Sequence, residues 1–349
     1  MDFESCSFEF GDGQPTRVIA EIGVNHNGSV QLARRMVDEA LKAGADIIKF
    51  QAFVSEKEIS RFAAKTPYQK ETTSDADGQL EMCKALELSP TALKELKAYC
   101  SERRAPFLCA AFDFDSVDLL VDELDVATIK IPSGEISNIP LLQYVGSRRR
   151  AVILSTGAST LVEVGVAIDA LRAAGCPDIM LFHCISSYPA PFEQVNLHAM
   201  RTMRDAFRVP VGFSDHTVGI EAAVVAAGLG ACAIEKHFTL DRSMEGPDHR
   251  ASIEPDELAA LVNGVKIANS VTGDGIKRPM PCEIENLPLI RKSLVASTRL
   301  AKGTRLERSM IEIKRPEGGI APFDMDKVLG LTLKVDLEPD QPISWAVLA

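Results

Sequence analysis

Short runs of β-branched and other apolar residues alternate along the chain with longer stretches in which apolar positions recur every three or four residues. RVIAEIGV precedes SVQLARRMVDEALKAG, and ADIIKFQAF precedes a long insertion and then SPTALKELKAYCSER. The first member of each pair has the make-up of a buried strand and the second the period of an amphipathic helix, so each pair predicts a βα unit. The rhythm continues through APFLCAAF, DVATIKIPS, RAVILSTG, DIMLFHCIS, VPVGFSD and ACAIEKHF, and ends with the helical EPDELAALVNGVKIANS. Eight strands are thus expected, starting near Arg17, Asp46, Ala105, Asp125, Arg150, Asp178, Val209 and Ala231. Eight such units predict an α/β fold, a (β/α)8 TIM barrel over residues 1–272. In its first helix Ser29 is the expected N-cap, Leu32, Met36, Ala40 and Leu41 share a face, and Gly44 ends the helix.

From Gly273 to Glu285, Gly273, Gly275, Pro279 and Pro281 break the rhythm and predict a linker, taken as 273–292. Residues 293–349 then read as short strands with glycine turns. A module this small buries little surface alone, so a β-rich cap that docks on something else is expected. Within it, Lys314-Arg315-Pro316-Glu317-Gly318-Gly319 sets two cations beside a glycine turn. They suit an approach to an anion, or else form a solvated basic loop.

At 349 residues the chain has room for a barrel and a small module, and no apolar run approaches the roughly 20 residues of a membrane span. The acidic start MDFESCSFEFGDGQ has no secretory pattern, so a cytoplasmic protein is expected. Eight cysteines without a CxxC pair point to reduced thiols. A net charge of −11 argues against nucleic acid as a partner and requires that cations for any anionic ligand be local.

Barrel enzymes place their chemistry at the C-terminal ends of the strands. Polar residues fall there repeatedly: Glu21 on the first strand, Lys49 and Gln51 on the second, Lys130 and Ser133 on the fourth with Glu135 just beyond, and Ser155 on the fifth. His183 lies in the sixth, Asp215 and His216 end the seventh, and His237 closes the eighth. A lysine facing the barrel mouth is costly unless an anion or a neighbouring carboxylate satisfies it. Two converging lysines favour an anionic substrate, each offering roughly 4 kcal/mol at about 4 Å and an effective dielectric near 20. His216 and His237 on adjacent strand ends suit an open catalytic metal site, with core histidines bonded to carbonyls as the alternative. Glu21, Asp215, Glu235 and Asp248 supply carboxylates that complete the ligand set or orient the imidazoles. Ser133, Ser155 and Ser214, beside Gly134, Gly157 and Gly212, suit a phosphate cradle or plain loop capping. His26, Tyr188 and His249 are candidates for sugar contact or for structural turns.

AEIGVNHNGS, ADIIKFQAF, IKIPSGEISNIPLL, ILSTG, SSYPAPFEQVNL, GFSDHT, AIEKHFTLD, GPDHRASIEP and KRPEGGI stand in one order. Together they resemble the sialic acid (N-acetylneuraminate) synthase family over nearly the whole chain. That resemblance implies a TIM barrel followed by an antifreeze-like (SAF) domain, and a homodimer in which one subunit's SAF domain covers the other's barrel mouth. It further implies condensation of phosphoenolpyruvate with an N-acetylmannosamine-type sugar. A divalent metal, Mn2+ or Mg2+, is implied on His216 and His237, and phosphoenolpyruvate on Lys49, Lys130, Ser133 and Ser155. The acid/base role falls to Glu135, with Glu21 also at the site, while Gln51, Tyr188 and Asp248 meet the sugar. Arg315 is implied to reach the acetamido group in the partner's site. Where the family often reads S-T-P-F, this chain has Cys109-Ala110-Ala111-Phe112, so a hydroxyl expected near phosphoenolpyruvate is missing. Residues 65–79, implied to shape the sugar pocket, do not align with the family. Two rivals are a metal-free Schiff-base aldolase using one barrel lysine and a non-catalytic carbohydrate- or ice-binding protein. The second gives no reason for Lys, Glu and His at strand ends.

Overall fold

The computed structural model describes residues 10–11, 14–73 and 78–349. Eight parallel strands close into a barrel in sequence order: β1 (Arg17–Gly23), β2 (Ile47–Ala52), β3 (Phe107–Ala111), β4 (Thr128–Ile131), β5 (Ala151–Ser155), β6 (Ile179–Cys184), β7 (Val211–Asp215) and β8 (Ala233–His237). All eight fall within the segments expected from the apolar runs. A small antiparallel sheet lies in the C-terminal segment.

Side chains alternate across each strand, and the two faces have different work. Val18, Ala20, Ile48, Phe50, Ile129, Ile131, Leu181 and Ile234 point outward into a continuous apolar layer shared with the surrounding helices. Ile19, Ile47, Leu108, Ile153, Met180, Phe182 and Ala233 point inward and fill the barrel floor. The next inward residues along the same strands are Glu21, Lys49, Ala110, Lys130, Ser155, Cys184 and Glu235, so the interior changes from apolar to polar towards the C-terminal end. Gly212 is required where β7 crosses the floor, since a Cβ there would lie 2.6 Å from both Ala233 O and the Phe182 ring.

The first helix spans Val30–Lys42, capped by Ser29 Oγ accepting from Leu32 N, and Gly44 follows it at φ +93°. Its inward face is Ala33, Met36, Val37 and Ala40, one position off the expected stripe, with Leu32 and Leu41 flanking it half-buried. The insertion after β2 holds three short helices, Ser55–Glu58, Pro67–Thr72 and Gln79–Leu86, before the helix Pro90–Glu102. Of the implied sugar-pocket stretch, residues 74–77 lie outside the described ones.

The chain divides into compact units between Gly273 and Asp274, one residue from the expected boundary. The stretch expected to be a plain linker carries two short helical turns, Pro281–Asn286 and Leu287–Ile290. The second unit pairs β9 (Ser293–Ala296) with β10 (Ile311–Lys314) antiparallel. It buries its own cluster, including Leu294, Leu306, Ile311, Val328, Leu337 and Ile343.

Candidate active site

A cavity of about 300 Å3 opens at the C-terminal end of the barrel. Glu21, Lys49, Gln51, Lys130, Ser133, Ser155, Tyr188, His216, His237 and Asp248 all line it. Strand alternation explains the convergence, because each of these residues on a strand occupies an inward position just above the apolar floor.

One side of the cavity is a lysine and two serines. Lys130 Nζ donates to Ser155 Oγ at 2.6 Å and to Ile131 O at 3.2 Å, and Ser133 Oγ accepts from Gly157 N at 2.9 Å. A Cβ on Gly157 would sit 2.2 Å from Ser186 Oγ and 2.9 Å from Ser133 Oγ, so only glycine lets this turn approach so closely. Ala110, paired in register with Lys130, lines the same wall and leaves it without the missing hydroxyl. Burial pushes the Lys130 ammonium down to about 8, against the opposing pull of Glu235.

Lys49 occupies the centre. Its Nζ lies 2.9 Å from Glu235 Oε1 and 3.1 Å from Glu21 Oε2, all three groups being almost wholly buried. The expectation that both lysines await an anion therefore needs correction for Lys49, whose charge is already met by two carboxylates. The two carboxylates are not equivalent. Burial pushes the Glu21 carboxyl up, with Lys49 resisting, whereas Lys49 and Lys130 overcome burial to hold Glu235 well below the ordinary range. Gln51 Nε2 donates to Glu21 Oε1 at 2.7 Å. Environments that separate two carboxylates in this way mark out a proton donor and a permanent anion.

The opposite wall holds the imidazoles, with ring centroids 5.6 Å apart. Tyr188 stacks on His216 at 4.2 Å and meets His237 edge-on at 5.7 Å. His216 Nδ1 is paired with Ile185 O at 2.7 Å, which directs Nε2 into the cavity. His237 Nδ1 is buried without a hydrogen-bond partner, and the nearest Asp248 oxygen is 3.7 Å away. Burial holds both imidazoles neutral, and holds the Asp248 carboxyl up at about 6. Two neutral rings, one with its Nδ1 unpartnered and the other with Nε2 held only by a 3.4 Å contact to Ser214 Oγ, fit a divalent cation. Among the described residues no third His, Cys, Asp or Glu joins them in a metal-binding group.

Several candidates are placed elsewhere. Asp215 points outward to Lys236 Nζ at 2.8 Å, which removes it from the ligand set. His183 is also on the outer face, bonded to Val195 O at 2.7 Å and stacked on Phe213. His26 accepts from Gly28 N, and His249 pairs with Thr239 Oγ1 and Asn27 Oδ1, so both serve loops. Ser214 does line the cavity but contacts Glu235 and His216 rather than the other serines. Glu135 does not line the cavity, and its carboxylate accepts from Asn138 Nδ2 at 2.7 Å. In the second unit Lys314 is taken up by Asp340 and Glu312, while Arg315 is exposed and pairs with no carboxylate among the described residues.

The insertion after β2 contributes wall residues that periodicity did not single out: Phe53, Glu58, Ile59, Tyr68, Gln69, Met82, Cys83 and Leu86. Glu235 was legible only as a possible ligand, although its place two residues before His237 puts both side chains on one face of β8.

The NeuB family profile matches residues 36–277 and the SAF domain profile residues 291–349. The N,N'-diacetyllegionaminic acid synthase of Campylobacter jejuni is 44% identical over 94% of this chain and 98% of its own, and that of Legionella pneumophila 41% identical over 96% and 95%. The crystal structure of N-acetylneuraminic acid synthetase from Leptospira borgpetersenii, in complex with citrate, superposes with a TM-score of 0.72 at 34% identity, covering 80% of this chain and 93% of that one. With these matches spanning both units, and with lysines, carboxylates and histidines gathered at the barrel mouth, the chain belongs to the NeuB family of nonulosonic acid synthases.

Proposed function

We propose that the cavity condenses phosphoenolpyruvate with the open-chain aldehyde of an acetamido-mannose-type sugar and with water, giving a nonulosonic acid and phosphate. The observation that carries this reading is the division of one cavity into a Lys130–Ser155–Ser133 wall and an imidazole pair, with the Glu21–Lys49–Glu235 cluster between them. In this reading Lys130, Ser133 and Ser155 hold the anionic groups of phosphoenolpyruvate, with Lys49 beside them. His216 and His237 would hold Mn2+ or Mg2+, which would supply Lewis-acid polarisation at the sugar aldehyde.

The enol carbon attacks the aldehyde carbon, water adds to the phosphate-bearing carbon, and the tetrahedral centre expels phosphate, which keeps the bridging oxygen and the C–O bonding electrons; of the water's two protons one leaves with phosphate and the other restores the proton donor. Lys130 offsets the negative charge throughout, with Lys49 neutralising Glu21 and Glu235 beside it. Glu21, raised by burial and within reach of Gln51 and Lys49, is the group suited to give the new sugar oxygen its proton. Glu135, held by Asn138 through one carboxylate oxygen and outside the cavity lining, is the less suited group.

The outer wall, with Val24, Phe53, Ile59, Met82 and Leu86 beside Glu58 and Asp248, suits an uncharged sugar terminus, because Lys49 and Lys130 are the only lysines or arginines lining it among the described residues. Together with the names of the two legionaminic acid synthases, this favours an unphosphorylated, doubly N-acetylated sugar over a 6-phosphate. Phosphate release from phosphoenolpyruvate across a panel of acetamido-mannose derivatives tests the substrate, and label retained in phosphate from bridging-18O phosphoenolpyruvate tests C–O cleavage. The depressed Lys130 ammonium also suits a Schiff-base aldolase. Borohydride trapping of pyruvate on Lys130 decides for that rival.

A further inference from the structure

A second buried ion pair lies directly behind the imidazoles, on the other side of the barrel wall. Lys236 Nζ donates to Asp215 Oδ2 at 2.8 Å and to Thr217 O at 2.6 Å, and Asp215 Oδ1 accepts from Thr217 N at 2.8 Å. Both charged side chains are completely buried and neither lines the cavity. Asp215 and Lys236 are register partners across β7 and β8, and each immediately precedes one of the two histidines. We propose that Asp215 and Lys236 are positioning residues that fix the separation of His216 and His237 and so set the affinity for a divalent cation. This rests on the two-histidine reading of the site.

The geometry supports a positioning role over a stabilising one. A buried ion pair replaced by apolar groups of similar volume is often neutral or favourable for stability, so stability alone gives little reason to keep one here. Two of the three bonds, however, anchor the residues on both sides of His216 to the residue before His237, and the third ties those two residues to each other. The backbone on either side of one imidazole is thereby held to the strand that carries the other. The Nδ1 contact from His216 to Ile185 O then leaves its ring little freedom to turn. Outer partners that orient metal ligands typically contribute a factor of about 10 to 100 in metal affinity.

The test is Mn2+ binding to the full-length chain, by calorimetry or by loss of the free-ion EPR signal, with no substrate present. Asp215→Asn/Lys236→Met removes both charges together and leaves neither uncompensated. Asp215→Leu/Lys236→Leu, with apolar groups in both places, is the second variant should the first fold poorly. The expected result is a single Mn2+ per wild-type chain, loss of binding in His216→Ala, and Mn2+ Kd raised about tenfold or more in the pair variants. Leu171→Ala loosens a fully buried helix position remote from the pair and should leave the Kd unchanged. If the wild type binds Mn2+ and the pair variants bind it equally tightly, or if Leu171→Ala weakens it as much, the positioning role is overturned while the two-histidine site stands. If the wild type binds no Mn2+, both fall.

Discussion

Lys130→Met separates what the barrel mouth gains in binding from what it loses in stability. Lys130 is a fully buried ammonium whose hydrogen-bond partners are one hydroxyl and one carbonyl, and burial takes it from an ordinary 10.5 to about 8. Holding it charged at pH 7 therefore costs the folded state about 3 kcal/mol relative to the unfolded chain. Methionine has a similar shape and no charge, so the substitution relieves that cost. It also removes one of the two cations that stabilise Glu235, although Lys49 remains 2.9 Å away, so a net gain of about 1–2 kcal/mol is expected. Because the folded-state value is depressed, the wild-type penalty is complete below about pH 8 and fades as pH rises towards 10.5, where the unfolded lysine also loses its proton. Urea unfolding of both proteins at pH 7 and near pH 10.5 should thus give a stability gap that shrinks with pH. Calorimetry should show phosphoenolpyruvate binding weakened by a hundredfold or more, given about 4 kcal/mol of attraction per unit charge at 4 Å. A variant less stable than wild type at pH 7, or a gap that persists unchanged near pH 10.5, would refute the assignment of Lys130 as a strained cation kept for an anionic ligand.

Removal of divalent metal by a chelator should abolish phosphate release and Mn2+ should restore it, with His237→Ala failing to respond while its Tm stays within a few degrees of wild type. Glu21→Gln should lower kcat by at least a hundredfold and remove a limb of the pH–rate profile that lies above the usual carboxylate range, as burial of Glu21 requires; an unchanged profile excludes it as the proton donor. Arg315→Ala should reduce kcat/KM by about 2 kcal/mol with little change in phosphoenolpyruvate binding. If the cap acts on a partner's barrel, mixing that variant with Lys130→Ala should restore activity in heterodimers, whereas mixed dimers as inactive as their parents exclude action in trans.

Local pattern alone determined the eight strands, their order and the boundary near residue 273, because a barrel of successive βα units needs only the alternation of buried strands and amphipathic helices. The same alternation was enough to bring Glu21, Lys49, Lys130, Ser155 and His237 to one cavity, since inward positions near strand ends have nowhere else to go. What the sequence left open was pairing across strands. Whether Lys49 meets a substrate anion or a carboxylate depends on which inward residues β1 and β8 bring to it, and closure of the barrel supplied Glu21 and Glu235. A shift of one position separates His216 in the cavity from Asp215 behind the wall, and His237 from Lys236, a distinction fixed by the pleat rather than by composition. The wall formed by Phe53 to Leu86 was the least legible part, because it comes from short helices with little periodicity of their own. Their placement is decided by tertiary contact with the barrel mouth, as for Tyr68, which packs against Tyr188 at 5.1 Å.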